Sequence, residues 1–279
     1  MDRVKAGKIT EYLRMAIQVV FFIVFPSAFA SAFTAVKEVA TAFSTGAQLT
    51  MTPFSKILIF LLAFTVIFGR FFCGYACALG AFGDWVYKMS QFIQRKTGKK
   101  IPKIPMQTVK TLQHAKFIVL ALIIILCFSG FNDEIGEYSP WTLFSMILSG
   151  KFPIADYIEA GVLLLLIVIG MAIQSRFFCQ FLCPMGAIFS MMPVLPTGQL
   201  VRDSENCIKC CKICRLGCPV ALKLGKEEFR EGECVRCNRC ISLCPRGNIS
   251  LGRVNIRPSG NAWVIFQAAL LLIVLKFVI

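Results

Sequence analysis

A single histidine, His114, stands in a chain of 279 residues. That scarcity removes one large class of membrane redox protein, because two axial haem histidines cannot be drawn from one. Charge is scarce too: Asp, Glu, Lys and Arg make up 16% of the sequence, against about a quarter in a soluble domain. Acidic residues are the rarest part of it, 15 against 30 Lys and Arg. No P-loop, dinucleotide fingerprint, Ser/His/Asp set or HExxH is present, so nothing supports the phosphate-binding or hydrolytic chemistry those patterns carry.

What fills the space is apolar. Hydrophobic residues reach 57%, with 26 Phe and a mean hydropathy of +0.70, the composition of an integral membrane protein. The formal charge of +15 fits loops retained on the cytoplasmic side against anionic lipid. No basic run is interleaved with a soluble recognition fold, so nucleic acid is not an expected partner.

Five segments are apolar enough to span a bilayer: 13–33, 57–72, 117–131, 157–173 and 262–279. Some fall short of the roughly 20 residues expected and need snorkelling flanks or local thinning. The N-terminal tail and the stretch from Arg70 to Lys116 are rich in Lys and Arg, whereas 36–53 and 132–156 are nearly free of them. Basic loops stay inside, which puts the N-terminus and residues 176–261 in the cytoplasm. The opening "MDRVKAGK", "MAIQVVFFIVF" and "AFA" imitate a secretory signal, but apolar character continues past Ala30 and the segment reads as an uncleaved helix.

An internal repeat organises the chain. "RFFCGYACALG" from Arg70 returns as "RFFCQFLCPMG" from Arg176, each time where an apolar run ends. Both hairpins enter from the cytoplasm and return to it, so the copies are parallel repeats that bring their Cys-x-x-x-Cys corners face to face. The predicted fold is a mostly α membrane protein of about five transmembrane helices, with a cytoplasmic α+β two-cluster ferredoxin-like domain inserted before the last helix. Its boundaries are residues 1–90 for the first hairpin, 91–116 for a basic linker, 117–200 for the second hairpin, 201–260 for the ferredoxin domain and 261–279 for the C-terminal helix.

Fourteen cysteines carry the chemistry. Cys234, Cys237, Cys240 and Cys244 precede Pro245 in "CVRCNRCISLCP", the bacterial ferredoxin run in which three thiolates face one cubane and the fourth reaches a second. Four-thiolate zinc instead uses two separated pairs. Upstream, "CIKCCKICRLGCP" is irregular, with Cys207 one place early and either Cys210 or Cys211 spare. Cys207 and Cys210 keep the two-residue gap, which favours Cys210. Exchange between motifs then assigns Cys207, Cys210, Cys214 and Cys244 to one [4Fe-4S] cluster and Cys218, Cys234, Cys237 and Cys240 to the other.

The corner cysteines, Cys73, Cys77, Cys179 and Cys183, form a third thiolate set at the membrane boundary. If each helix continues through its pair, the spacing puts both sulfurs on one face. A third iron–sulfur cluster is the expected occupant, with redox dithiols or purely structural cysteines as the alternatives. Arg70 and Arg176 are read either as cations offsetting the cluster's charge or as snorkelling anchors. Cys127 is apolar filler, His114 a solvated loop residue, and "EYSPWTLF" a loop dipping into the interface without chemistry. Asp84 and Trp85 fit an interfacial helix better than a quinone headgroup site.

Repeated hairpins ending in Cys-x-x-x-Cys, followed by a two-cluster ferredoxin, resemble the polyferredoxin family of membrane electron-transfer proteins of the NapH, MauN and NosR type. The sequence departs from that pattern in Ala78 where the family has Pro, in the irregular first ferredoxin motif, and in a fifth span. The resemblance implies quinol oxidation or passage of electrons to quinol- or flavin-linked redox partners at the cytoplasmic (inner) membrane, with quinone a candidate ligand. The rival expectation is an accessory or regulatory factor supplying electrons for metal-site maturation.

Overall fold

The computed structural model describes residues 3–46, 51–99, 101–102, 104–130, 139–150, 157–195, 199–203, 207, 213–222, 231–251 and 260–278. The first apolar segment is not one helix. α1 (Arg3–Val24) breaks at Pro26 and resumes at a bend of 61° as α2 (Ala28–Thr45), because proline lacks the N–H and clashes with the preceding turn. This corrects the single span expected over 13–33. α3 (Pro53–Phe68) starts on Thr52, whose hydroxyl accepts from Ser55 N, with Pro53 in the first turn where its missing N–H costs nothing.

After the first corner, α4 (Ala78–Thr97) leads through α5 (Met106–Leu112) to α6 (Ala115–Phe128). The second copy adds α7 (Pro140–Leu148), α8 (Ile158–Ile173), a one-turn α9 (Phe177–Phe181) and α10 (Pro184–Met191). The copies interlock: α4 packs on α8, and α2 on α6. Trp141 of α7 lies 6.1 Å from Phe178 and 4.9 Å from Phe33 between ring centroids, so the segment expected to dip into the interface reaches the second corner's aromatic layer.

The polar module is α+β among the described residues. β1 (Leu200–Arg202) pairs antiparallel with β2 (Ile249–Leu251) in the register Val201 to Ser250, and two short helices, α11 (Ile213–Leu216) and α12 (Arg239–Leu243), lie between them in the chain. α13 (Gly260–Val278) follows and packs against α1 and α3.

By length and apolarity one described helix, Gln107–Phe128, can cross a membrane, or two if the bent α1–α2 pair counts as one span. Three further apolar helices, Pro53–Phe68, Ile158–Ile173 and Asn261–Phe277, are shorter. Their outer faces carry uncovered side chains such as Ile118, Leu122, Val162, Leu165 and Phe266.

Candidate iron–sulfur corner

The two Cys-x-x-x-Cys motifs form matching corners, by a route the spacing alone did not reveal. Neither helix runs through its pair. Cys73 lies in a π turn, Phe72–Ala76, and Cys77 is extended and starts α4; Cys179 lies in α9, and Cys183 is extended and starts α10. This corrects the expectation of two sulfurs on one helical face. Cys183 Sγ accepts from Gly186 N at 3.1 Å, a cap that Cys77, at the matching place, does not make. Pro184, at the first position of α10, signals that break in the sequence.

The four corner thiols gather. Burial pushes Cys77 far above the ordinary thiol range, and nearby Cys179 and Cys73 add to it. Cys183 is raised by burial and then by Cys179, Cys73 and Cys77. Cys179 is raised by burial, while Arg176 and, more weakly, Arg70 pull it back. These thiols suit a metal group that displaces the proton on binding.

Arg70 and Arg176 are 2% and 1% exposed, so neither is a snorkelling anchor. Each crosses to the other copy. A Cβ on Gly80 would collide with the Arg176 guanidinium, and one on Gly186 would come within 3.0 Å of Arg70 Nη2. Such reciprocity is what a twofold relation between copies produces. Arg176 sits at φ 58°, which costs about 1 kcal/mol or more for a residue with a Cβ. Four hydrogen bonds hold it there: Nε to Asp84 Oδ1 at 2.9 Å, Nη2 to Asp84 Oδ2 at 2.6 Å and to Gly74 O at 3.0 Å, and Nη1 to Cys73 O.

Asp84 is the residue that sequence reasoning undervalued. It also receives Arg14 Nη2 and, at 2.9 Å, Gln18 Nε2. Burial pushes its carboxyl up, but Arg14 and Arg176 outweigh burial and hold it down at about 2. At the second corner Ser190 occupies the aligned place, seven residues after Cys183 as Asp84 is after Cys77. There the carboxylate comes from the polar module. Glu233 bonds Lys116 Nζ through both oxygens and lies 3.6 Å from Arg70 Nη1, which also donates to Gly232 O at 3.0 Å. Aligning the copies at Asp84 and Ser190 would have exposed the gap, but not its filling by Glu233.

The loop carrying Glu233 docks on the corners by backbone. A Cβ on Gly74 would overlap Val235 O, and one on Gly232 would overlap Ser190 O. Tyr75, stacked on Phe71 with centroids 4.3 Å apart, donates to Cys237 O at 3.4 Å, and Gln180 Nε2 donates to Pro219 O at 3.1 Å. Beneath this contact Cys218, Cys234, Cys237 and Cys240 line one small pocket with Val220 and Asn238. Burial, then Cys237, pushes the Cys218 thiol up to about 12. The same four residues came from the exchange between ferredoxin motifs.

Cys207, Cys214 and Cys244 are half-buried thiols; Cys210 and Cys211 lie outside the described residues. Cys127 is buried among apolar side chains and His114 is exposed, as expected. Among the described residues no three His, Cys, Asp or Glu side chains close around one metal ion. Thiol-only donors, and at the corner the buried Arg70 guanidinium with Nε and Nη2 unpartnered among the described residues, fit a negatively charged iron–sulfur cluster.

Comparison with known proteins agrees. The family model described as "4Fe-4S binding domain" matches residues 52–100 and 158–195, the two corner segments. An uncharacterized protein of Methanocaldococcus jannaschii is 29% identical over 75% of this chain and 74% of its own. The putative electron transport protein YccM of Escherichia coli is 24% identical over 68% of this chain and 52% of its own. The ferredoxin-type protein NapH of Haemophilus influenzae is 24% identical over 67% and 63%. No solved structure matches.

Proposed function

We propose that this chain, an iron–sulfur electron-transport protein of the polyferredoxin type, relays single electrons between a quinone pool or cytoplasmic donor and a redox partner at the cytoplasmic membrane. Five spans in two parallel hairpins, with the ferredoxin domain inside, complete that reading. The exposed apolar side chains of α6, α8 and α13 support lipid around them. Cys73, Cys77, Cys179 and Cys183 would hold one cluster, Cys218, Cys234, Cys237 and Cys240 a second, and Cys207, Cys210, Cys214 and Cys244 a third. Such clusters supply one-electron steps at potentials set by hydrogen bonds and solvent access.

The observation that carries the reading is the seam between corner and polar module. Tyr75, which follows Cys73 by two residues, donates to Cys237 O at 3.4 Å, and Gln180, which follows Cys179, donates to Pro219 O, next to Cys218, so buried hydrogen bonds link the corner motifs to the second thiol set. The chain excludes water there and fixes the separation, as directed electron transfer requires. A quinone reading draws support from an apolar cavity of about 680 Å³ beside the second corner, lined by Leu122, Leu166, Phe177, Phe178 and Trp141. Trp141, one of its lining residues, buries its Nε1 with no hydrogen-bond partner among the described residues.

Iron and acid-labile sulfide are measured on anaerobically purified protein. Loss of about one cluster's iron in Cys73→Ser/Cys179→Ser and of another's in Cys237→Ser is the expected result, and unchanged iron in the first variant removes the corner cluster. Rapid reduction by a menaquinol or ubiquinol analogue separates quinone-linked relay from a maturation factor, which has no need of it.

A further inference from the structure

Arg70 and Arg176 occupy aligned positions, but only one of them has its donors used. Asp84 takes Nε and one Nη of Arg176 as a fork, and backbone carbonyls take the rest. Ser190 stands where a second Asp would be and turns its hydroxyl to Ala187 O. Glu233 stands in for the missing carboxylate only at Nη1. Arg70 Nε and Nη2 are therefore buried with no hydrogen-bond partner among the described residues. Around that guanidinium lie Cys73, Cys183 and Cys179, and its Nη2 passes over Gly186, the residue whose N–H caps Cys183 Sγ.

A buried N–H pair left open in a protein interior costs about 1–3 kcal/mol per group when nothing accepts from it. Three of the four corner thiols surround this one, and the acceptors missing are those a cluster brings: bridging sulfide and thiolate sulfur. We propose that Arg70 donates Nε–H and Nη2–H to the sulfur of the corner cluster and sets its reduction potential, while Arg176, consumed by Asp84, holds the corner's backbone. The inference rests on the corner cluster proposed above. Reduction adds negative charge to the cluster, so donors and a cation aimed at its sulfur stabilise the reduced form and raise the potential.

The test is a redox titration of the full chain in nanodiscs, following the paramagnetic signal that Cys73→Ser/Cys179→Ser abolishes. Arg70→Gln should lower the reduced-to-oxidised ratio about tenfold at the wild-type midpoint, equivalent to about 59 mV for a one-electron couple, with a smaller fall for Arg70→Lys. The ferredoxin signals serve as internal reference and should stay within twofold. Arg176→Lys should leave the corner ratio within twofold. An intact corner signal titrating as wild type in Arg70→Gln overturns the proposal, as does an equal shift in Arg176→Lys. If Arg70→Gln fails to assemble the cluster, the Arg176→Lys variant grown with ¹⁵N-labelled arginine decides by pulsed paramagnetic resonance: nitrogen coupling to the corner signal supports the role, and its absence sinks it. Should the double cysteine variant lose no signal and no iron, the corner cluster itself falls, a failure distinct from the others.

Discussion

The two corners are near copies in sequence, and their differences coincide with what each meets. Arg-Phe-Phe-Cys is shared, as is the glycine three residues after each second cysteine. Gly74 faces Gln180, Tyr75 faces Phe181, and Asp84 faces Ser190 in the alignment. Gly74 admits the Val235 backbone, Tyr75 reaches Cys237 O, Gln180 reaches Pro219 O, and Ser190 leaves room for Gly232 with Glu233 behind it. The first corner is closed without the polar module, Asp84 holding Arg14 of its own copy and Arg176 of the other; the second is closed by the polar module, whose Glu233 holds Lys116 and the first copy's Arg70. Duplication built a symmetric frame, and divergence turned one half of it into a socket.

The sharpest way to break that comparison is to remove each carboxylate in turn. Asp84→Ala leaves Arg14 and Arg176 buried without their counter-charge, and unpairing a buried ion costs about 3–5 kcal/mol. Little folded protein should survive detergent extraction, read by thermal unfolding monitored on a sizing column. Ser190→Ala, at the aligned place, should move the midpoint by no more than the scatter of surface substitutions. Asp84 also predicts the acid response. Its carboxyl sits below the ordinary value of 3.8, at about 2, so its contribution is complete above pH 4 and lost as pH falls through 2. That amounts to about 2 kcal/mol, and none of it should disappear between pH 8 and 5.

Glu233→Gln comes next, because its strain can be relieved by movement. The loop lifts away and water reaches Lys116 and Arg70, which limits the cost to about 2–4 kcal/mol. Faster hydrogen exchange across 232–237, with unchanged protection in α4 and α8, is the expected signature. Equal loosening of both corners would end the distinction between a corner closed without the polar module and a socket for it. Gly74→Ala tests the same seam sterically: its new methyl overlaps Val235 O, an overpacking cost of about 1–3 kcal/mol, visible as proteolysis of the polar module before the membrane helices.

That Cys218, Cys234, Cys237 and Cys240 line one pocket was legible because ligand spacing is local, and duplication advertises the two corner motifs. The partners of Arg70 and Arg176 were not, since Asp84 lies 92 residues from Arg176 and such pairings belong to the fold. Two misreadings were avoidable. Pro26 stands inside the segment read as one span, and Pro184 follows Cys183 directly, each marking a helix boundary the apolar pattern ran across. Glu233, one residue before a cysteine in a basic module, has no sequence signal tying it to a membrane corner. Its role exists only once the second copy has lost its own acid.

The smallest expected effect concerns Gln180, the second corner's counterpart to Gly74. Its amide donates to Ser175 O at 2.7 Å and Pro219 O at 3.1 Å, tying the turn before Arg176 to the residue after Cys218. Gln180→Leu forfeits both bonds at similar volume, a loss of about 1 kcal/mol, and removes the Oε1 that has no partner among the described residues, which offsets part of it. Cluster content should be unchanged, because no thiol moves, and the unfolding midpoint should fall by only a few degrees. What should respond is exchange of the amides around 218–222, the module's second foothold on the corners. If that segment loosens while 232–237 stays protected, the socket grips at two independent points; if both loosen together, Glu233 and Gln180 belong to one latch.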